Sequence, residues 1–122
     1  MTKKILVAED LDTIRLLVRT TIEAEDYQLL EARDGDEALA IIEAEHPDLV
    51  LLDVGMPKVD GFQVVKAIKG DPATKDIIVV MLTAHGRQAD RDLGLGLGAD
   101  HFVTKPFSPL DLMRKIRELL AH

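Results

Sequence analysis

Five short apolar segments, each followed by a stretch with helical periodicity, constrain the fold of this chain more than any other feature. The segments predict strands at Ile5–Ala8, Gln28–Ala32, Leu49–Leu52, Ile77–Leu82 and His101–Thr104. In the first and last intervening stretches, apolar residues recur every three or four positions, as on one face of a helix. Five strand–helix units in 122 residues predict an α/β domain in which helices cover both faces of a parallel sheet.

Polar side chains that cap helices stand where three of the predicted helices begin. They are Asp34, Asp60 and Ser108, and each offers an oxygen atom to the free N–H groups of a first helical turn. Glu37 and Gln63 follow the first two caps at the third position, which is the spacing of a capping box. These caps predict helix starts that agree with the alternating pattern.

The composition of the strands predicts their order in the sheet. The first, third and fourth are almost entirely apolar, as expected of strands buried on both faces. The second contains Gln28 and Glu31, and the fifth is short and begins with His101, so both suit edges. The flavodoxin-like order 2-1-3-4-5 gives a doubly wound (βα)5 sheet with those two strands at its edges. Strands 1 and 3 are then neighbours at the topological switch point, where ligands bind beyond the carboxyl ends of the strands.

Five chemically distinctive residues end or follow four of the predicted strands: Glu9, Asp10, Asp53, Thr83 and Lys105. Because parallel strands end at one edge of a sheet, we expect these side chains in one crevice. Three carboxylates at close range repel each other, and a hard cation such as Mg²⁺ relieves that repulsion. Each residue alone has an ordinary explanation, such as a helix cap or a turn. Their coincidence at one edge favours a functional site.

Charge and composition exclude several other classes of protein. The net charge of −7 and the aromatic content of 3% argue against direct binding of nucleic acid, which requires clustered Lys and Arg. The absence of cysteine excludes disulfides and thiolate metal sites. No apolar run is long enough for a membrane span or a signal peptide. We therefore expect a single domain over residues 1–122, located in the cytoplasm, whose partners are proteins.

Four motifs resemble those of bacterial response-regulator receiver domains, the phosphoacceptor modules of two-component systems. Residues 51–61 (LLDVGMPKVDG) resemble the phosphoacceptor loop, and Glu9-Asp10 the acidic pair of that family. Residues 81–84 (MLTA) resemble the switch threonine motif, and residues 104–107 (TKPF) the lysine–proline turn. The spacing of the motifs also matches, and the resemblance covers essentially the whole chain.

The resemblance implies a role for each residue of the crevice. Asp53 would accept a phosphoryl group from a histidine kinase or a histidine phosphotransfer protein. Asp10, Asp53 and the backbone carbonyl of Gly55 would bind Mg²⁺, and Glu9 would act through a metal-bound water. Lys105 would pair with Asp53 at rest and with a phosphoryl oxygen afterwards. The domain would catalyse only its own phosphorylation and dephosphorylation, and would not be an enzyme in the usual sense.

The resemblance also implies a switch. Thr83 would donate its hydroxyl to the phosphoryl group, and Phe102 would turn inward as the loop moves. The face made by helix 4, strand 5 and helix 5 would then bind an output protein or domain. A cis bond before Pro106 belongs to the same family pattern. Monomer and phosphorylation-dependent dimer stay open, as do a stand-alone regulator and a domain of a longer protein.

Two positions are candidates for tuning the lifetime of the phosphoryl group. Gly55 and His85 lie two residues beyond Asp53 and Thr83. Gly55 departs from the larger side chains common in the family at that position, which would leave the phosphoryl group more open to water or a partner. His85 could orient a water molecule or project into solvent. The direction of the effect on lifetime stays open.

Residues 94–98 (GLGLG) are unusual for a helix, because Gly94 and Gly96 each cost about 0.8–1 kcal/mol relative to Ala. Their spacing does not match a dinucleotide-binding fingerprint. Gly98 is a plausible helix C-cap. We expect a helix 4 that is short or easily displaced.

Two other functions share part of this pattern. A Mg²⁺-dependent phosphohydrolase would also use an aspartyl nucleophile, but position 55 is Gly where such an enzyme has a second Asp. A receiver-like scaffold without phosphorylation is a further alternative, which the complete set of five crevice residues disfavours. A Ser-His-Asp hydrolase lacks its G-x-S-x-G turn, and the four histidines show no metal-binding spacing.

Overall fold

The computed structural model describes residues 2–84 and 88–121. The strands are β1 (Lys3–Ala8), β2 (Tyr27–Ala32), β3 (Leu49–Asp53), β4 (Ile78–Ala84) and β5 (His101–Lys105). The helices are α1 (Asp12–Glu23), α2 (Gly35–Glu45), α3 (Gly61–Lys69), α4 (Gln88–Gly96) and α5 (Pro109–Leu120). Strand and helix alternate from β1 to α5, which confirms the predicted α/β class. Within the part of the chain that the structure describes, no helix is long and apolar enough to cross a membrane.

The five strands form one sheet in the order β2-β1-β3-β4-β5, and every pair is parallel. This is the predicted doubly wound order, with β1 and β3 adjacent. Each residue of β3 is buried, whereas the edge strand β5 is half-buried along its whole length. The difference follows from neighbours: β3 has a strand on either side and helices on both faces, whereas β5 has a strand on one side only.

Two hydrophobic layers cover the sheet, one on each face. Alternation along β1 illustrates the division, since Leu6 contributes to one layer and Val7 to the other. Helices α2 and α3 pack on the first layer through residues such as Ile42 and Ile68. Helices α1 and α5 pack on the second, where Ile116 is fully buried. Side chains that alternate along each strand therefore fill both layers, as the period of two residues in a strand requires.

The predicted helix caps are present. The Asp34 side chain accepts a hydrogen bond from the Glu37 N–H at 2.9 Å, and Asp60 forms a full capping box with Gln63. Ser108 caps α5. Helix α1 differs from these, because its N-cap position carries no side-chain hydrogen bond.

All five strands extend beyond the apolar segments that predict them, and the extensions of β4 and β5 involve residues of the predicted site. Pairing of β4 with β5 continues through Thr83 with Thr104 and Ala84 with Lys105. Thr83 therefore lies inside β4 and Lys105 is the last residue of β5, whereas the sequence pattern places both just after their strands. Backbone pairing does not require an apolar side chain, so a polar strand end is not visible in a hydrophobicity pattern.

Helix α4 contains both of the glycines expected to weaken it, and Gly98 ends it. Gly98 has a φ of 104°, and its N–H donates to the Leu95 carbonyl at 3.0 Å. The Ala99 N–H donates to the Gly94 carbonyl at 2.9 Å. These two bonds form a Schellman motif, which satisfies carbonyls that a helix end leaves free. The expected C-cap at Gly98 is confirmed.

Candidate functional site

The carboxyl edge of the sheet brings the predicted residues together. Glu9 and Asp10 follow β1 directly, and the Glu9 N–H donates to the Ala32 carbonyl at 3.0 Å, which extends the pairing with β2. Asp53 ends β3 opposite Leu82 of β4. Because β1 and β3 are adjacent, the acids from both strands face one crevice at the switch point, as expected for this topology.

A lysine bridges two of these acids. Lys105 Nζ donates to Glu9 Oε1 at 2.6 Å and to Asp53 Oδ1 at 2.8 Å. Glu9 is fully buried and Asp53 nearly so. The peptide bond between Lys105 and Pro106 is cis, as the resemblance implies. A single ammonium group therefore serves two carboxylates, which leaves an excess of negative charge in the crevice.

Burial and crowding set the protonation of the site. The pKa of Glu9 is raised to about 7, mainly by burial; Lys105 opposes the rise, and the neighbouring Asp53 and Asp10 contribute to it. Burial alone would lower the pKa of Lys105, but hydrogen bonds to Asp53 and Glu9 outweigh it and raise that pKa. Lys105 is therefore charged at neutral pH, while Glu9 is poised near half-protonation. For Glu9, the cost of burying a charged group outweighs the stabilisation that Lys105 provides.

The acidic residues are placed as a hard cation requires. Glu9, Asp10 and Asp53 each offer a carboxylate oxygen, and these oxygens lie within 4.8 Å of one another. A cleft of about 330 Å³ opens beside them, and Asp10, Asp53, Gly55 and Lys105 are among its lining residues. A Cβ added to Gly55 would meet no atom within 4 Å, so this side of the cleft is open. The donor set consists of oxygen atoms alone and includes exposed groups, which fits Mg²⁺ with its retained waters.

Thr83 supplies a hydroxyl group that is still available. Its side chain is 1% exposed, and Thr83 Oγ1 is a buried polar atom for which the structure, in the part that it describes, gives no hydrogen-bond partner. An unpaired buried hydroxyl costs free energy, so it calls for an explanation. A ligand that brings an acceptor oxygen into the crevice provides one.

A cavity larger than this cleft lies elsewhere in the described part of the structure. It has about 530 Å³ and lies between α2 and α3, where Leu39, Ile42, Ala67 and Thr74 line it. It contains neither the acidic cluster nor Lys105. Size therefore does not mark the candidate site, and we assign the site from the convergence of charged and polar groups.

Phe102 lies on β5 and contacts helix α4. A Cβ added to Gly94 would lie 2.8 Å from Phe102 Cζ, closer than atoms approach without movement. The Arg91 guanidinium carbon stands 5.6 Å from the centre of the Phe102 ring, within cation–π range. The ring is thus packed between the sheet and α4. His85, the other candidate near this helix, lies outside the described residues.

Two contributions to the site were not found from the sequence. Arg15 of α1 is buried beside the acidic pair, although a lone Arg in an amphipathic helix gives no signal of this. Gly61 belongs to the phosphoacceptor-like motif, but its reason is visible only in three dimensions. A Cβ there would lie 2.3 Å from the Asp53 carbonyl oxygen, so glycine allows α3 to begin against the main chain of Asp53.

Comparison with known proteins agrees with this geometry. The family model for the response regulator receiver domain matches residues 5–117. A probable transcriptional regulator, ycf27, of Cyanophora paradoxa is 49% identical over 97% of this chain and 48% of its own length. The phosphate regulon transcriptional regulatory protein PhoB of Klebsiella pneumoniae is 43% identical over 98% of this chain and 52% of its own. The chain therefore spans about half the length of these curated relatives.

Solved structures share the whole fold. A putative response regulator from Chloroflexus aurantiacus superposes with a TM-score of 0.94 at 30% identity, covering 100% of both chains. The chemotaxis protein CheY4 of Vibrio cholerae gives a TM-score of 0.91 at 32% identity, covering 98% of this chain and 100% of its own. The fold, the site geometry and the family match lead to one conclusion: this chain belongs to the response regulator receiver domains, the phosphoacceptor modules of two-component signalling.

Proposed function

We propose that Asp53 is the residue that accepts the phosphoryl group, with Lys105 and Thr83 as its partners and Mg²⁺ as its cofactor. The observation that carries the proposal is the buried Thr83 hydroxyl, which has no hydrogen-bond partner among the described residues. Thr83 follows Leu82, the β4 residue opposite Asp53, and Asp53 contacts Lys105 at 2.8 Å. Asp53 already pairs with the Lys105 ammonium group, and the Thr83 hydroxyl has no acceptor in the part of the chain that the structure describes. A phosphoryl group on Asp53 would bring acceptor oxygens within reach of both.

The reaction asks little covalent chemistry of the protein. A carboxylate oxygen of Asp53 attacks phosphorus, and the bond from phosphorus to the imidazole nitrogen of a donor phosphohistidine breaks, which leaves an acyl phosphate and a histidine. Positioning and charge neutralisation dominate such transfers. Lys105 neutralises charge on a phosphoryl oxygen, and Thr83 donates a hydrogen bond to another. Hydrolysis by water reverses the modification.

The acidic cluster supports a role for Mg²⁺. Asp10, Asp53 and the backbone carbonyl of Gly55 would hold the ion, and Glu9 would contact it through water. The ion supplies positive charge that the crevice lacks, and so allows three acids and a phosphoryl group to share one site. Gly55 and His85 remain our candidates for tuning the lifetime of the phosphoryl group, and the open space beside Gly55 is consistent with access by water.

The output surface belongs to the same proposal. We assign it to α4, β5 and α5, with Thr83 and Phe102 linking it to the crevice. The phosphoryl donor would be a histidine kinase or a histidine phosphotransfer protein, and an output protein or domain would bind the switched face. We treat residues 1–122 as one receiver domain acting in the cytoplasm, as a monomer or a phosphorylation-dependent dimer.

The test is incubation with acetyl phosphate and Mg²⁺, followed by intact-mass spectrometry. The wild type should gain about 80 Da, the mass of one phosphoryl group, and treatment with EDTA should prevent the gain. Asp53→Asn should gain nothing. Asp76→Asn, which changes an exposed aspartate far from the crevice, is the matched control and should behave as the wild type. An adduct that persists in Asp53→Asn would refute the assignment of the site.

A further inference from the structure

A buried arginine on α1 contacts the main chain of the acidic pair. Arg15 is 7% exposed, and its Nη1 donates to the Glu9 carbonyl oxygen at 2.7 Å. Glu9 is the residue from which the chain leaves β1, and Asp10 is the next. A buried charge is costly unless it is paired and hydrogen-bonded, so the contacts that retain Arg15 here matter for the site beside it.

The guanidinium group of Arg15 is fixed on its other sides by acids. Its Nη2 donates to the Asp12 carboxylate, and its Nε lies 3.7 Å from Glu31 Oε1 on β2. Glu31 is itself held by Arg19, whose Nε and Nη2 donate to the two carboxylate oxygens at 2.9 Å each. Arg15 therefore spans from β2 to the end of β1, and the planar fork of its guanidinium sets one direction toward the Glu9 carbonyl.

No side chain caps the start of α1. Helices α2, α3 and α5 each begin with a side chain that accepts a backbone N–H, whereas the N-cap of α1, Leu11, cannot. The Leu11 N–H instead lies 3.4 Å from Glu9 Oε2, a long contact to the same residue whose carbonyl Arg15 holds. The turn between β1 and α1 thus depends on Glu9, and Arg15 fixes the main chain of Glu9.

We propose that Arg15 is a positioning residue for Mg²⁺: it holds the Glu9–Asp10 main chain so that the Asp10 carboxylate faces Asp53. The inference rests on the proposed function, because it assigns a determinant of cation affinity to the same crevice. Partners that orient metal ligands without touching the metal commonly change affinity about 10- to 100-fold when they are removed.

The sign of the change in Mg²⁺ affinity on replacing Arg15 distinguishes two explanations. Arg15 carries a positive charge close to a cation site, so removal of that charge alone would strengthen Mg²⁺ binding. If Arg15 positions Asp10, its removal weakens binding instead. The sign of the change therefore separates positioning from charge. Arg19 provides a matched control, since it lies on the same helix and pairs with the same Glu31 but makes no contact with Glu9.

The experiment measures the Mg²⁺ dissociation constant of the unphosphorylated protein by isothermal titration calorimetry, with urea unfolding in parallel. Arg15→Met should weaken Mg²⁺ binding about tenfold or more, and Arg19→Met should stay within about twofold of the wild type. Arg15→Lys, which keeps the positive charge and one donor nitrogen, should fall between wild type and Arg15→Met. The rate of phosphorylation by acetyl phosphate should return toward the wild-type rate at saturating Mg²⁺ in both Arg15 variants.

Three results would overturn the inference. Arg15→Met and Arg15→Lys could bind Mg²⁺ as tightly as the wild type or more tightly, or Arg19→Met could weaken binding as much as they do. The rate could also stay low at saturating Mg²⁺, which would place Arg15 outside metal positioning. A wild type that bound no Mg²⁺ would instead refute the proposed function, and this inference with it, so the two failures are distinguishable.

Discussion

The two ends of the sheet carry the same kinds of residue and use them differently. At the amino end, Lys69 Nζ donates to the carbonyls of Lys75 and Ile77 at 2.9 and 2.7 Å and pairs with Asp100 at 3.0 Å. Asp100 also accepts the Val79 N–H at 2.8 Å. This lysine has three partners and its aspartate has two.

At the carboxyl end the balance is incomplete. Lys105 serves two carboxylates, Glu9 and Asp53, and within residues 2–84 and 88–121 the Thr83 hydroxyl has no hydrogen-bond partner. A lysine and an aspartate in contact therefore do not by themselves indicate function. The candidate site differs because its negative charge is only partly neutralised and one hydroxyl group is not hydrogen-bonded among the described residues. Both are available to a ligand.

The largest expected effect is at the amino end. Lys69→Met should lower the free energy of unfolding by about 2–3 kcal/mol, since it removes the ammonium group that donates to the carbonyls of Lys75 and Ile77 and pairs with the exposed Asp100. Urea unfolding measures this change. Phosphorylation by acetyl phosphate should be unaffected under conditions where the variant is folded.

Lys66→Met, an exposed change three residues earlier on α3, is the control for Lys69 and should fall within about 0.5 kcal/mol of the wild type. If Lys69→Met lowers stability no more than Lys66→Met does, Lys69 behaves as an ordinary surface lysine and the contrast between the two ends fails.

The second effect concerns pH at the carboxyl end. Because the folded state holds the pKa of Glu9 at about 7, above the ordinary 4.5, the stability that Glu9 contributes is fully present below pH 4.5 and is lost as pH rises through about 7. In EDTA, the free energy of unfolding of the wild type should fall by about 2 kcal/mol relative to that of Glu9→Gln across this pH range. One titrating proton can change it by at most ~1.4 kcal/mol per pH unit. Urea unfolding at a series of pH values measures the difference between the variants. Parallel curves for the two proteins would mean that Glu9 does not titrate in this range.

The third and smallest effect compares two buried threonines. Thr83→Val should raise the free energy of unfolding by about 1 kcal/mol, because it removes a buried hydroxyl to which no described residue is hydrogen-bonded. Thr74→Val should lower it by a similar amount, since Thr74 Oγ1 donates to the Ile68 carbonyl at 2.7 Å. Thermal or urea unfolding of both variants checks the opposite signs. Destabilisation by Thr83→Val would mean that its hydroxyl has a partner at rest.

The difference between the ends also explains what could be predicted from the sequence. Residues of the carboxyl end each stand at the end of an apolar strand, so topology alone places them together. Lys69 comes from the last turn of a helix and Asp100 from a loop, and no local pattern relates them. Arg15 was missed for a similar reason, because its partner in the site is a backbone carbonyl, which no side-chain motif records.

In helix α4, helix propensity predicts the energetic cost of the two glycines but does not explain why glycine is present at each position. Propensity predicts that Gly94 and Gly96 weaken the helix, and hydrogen exchange faster than in α5 remains our expectation. The structure separates the two glycines. A Cβ on Gly96 would meet nothing within 4 Å, whereas one on Gly94 would meet Phe102. Only a three-dimensional neighbour explains why glycine stands at 94.

Because Gly94 has no side chain, the Phe102 ring packs directly against the backbone of α4. The ring occupies the hollow that glycine leaves, so its departure would open a void, and close-packed interiors do not tolerate voids without cost. If the ring moved away, α4 would have to shift to fill the void. The close fit at Gly94 therefore couples movement of the Phe102 ring to movement of α4.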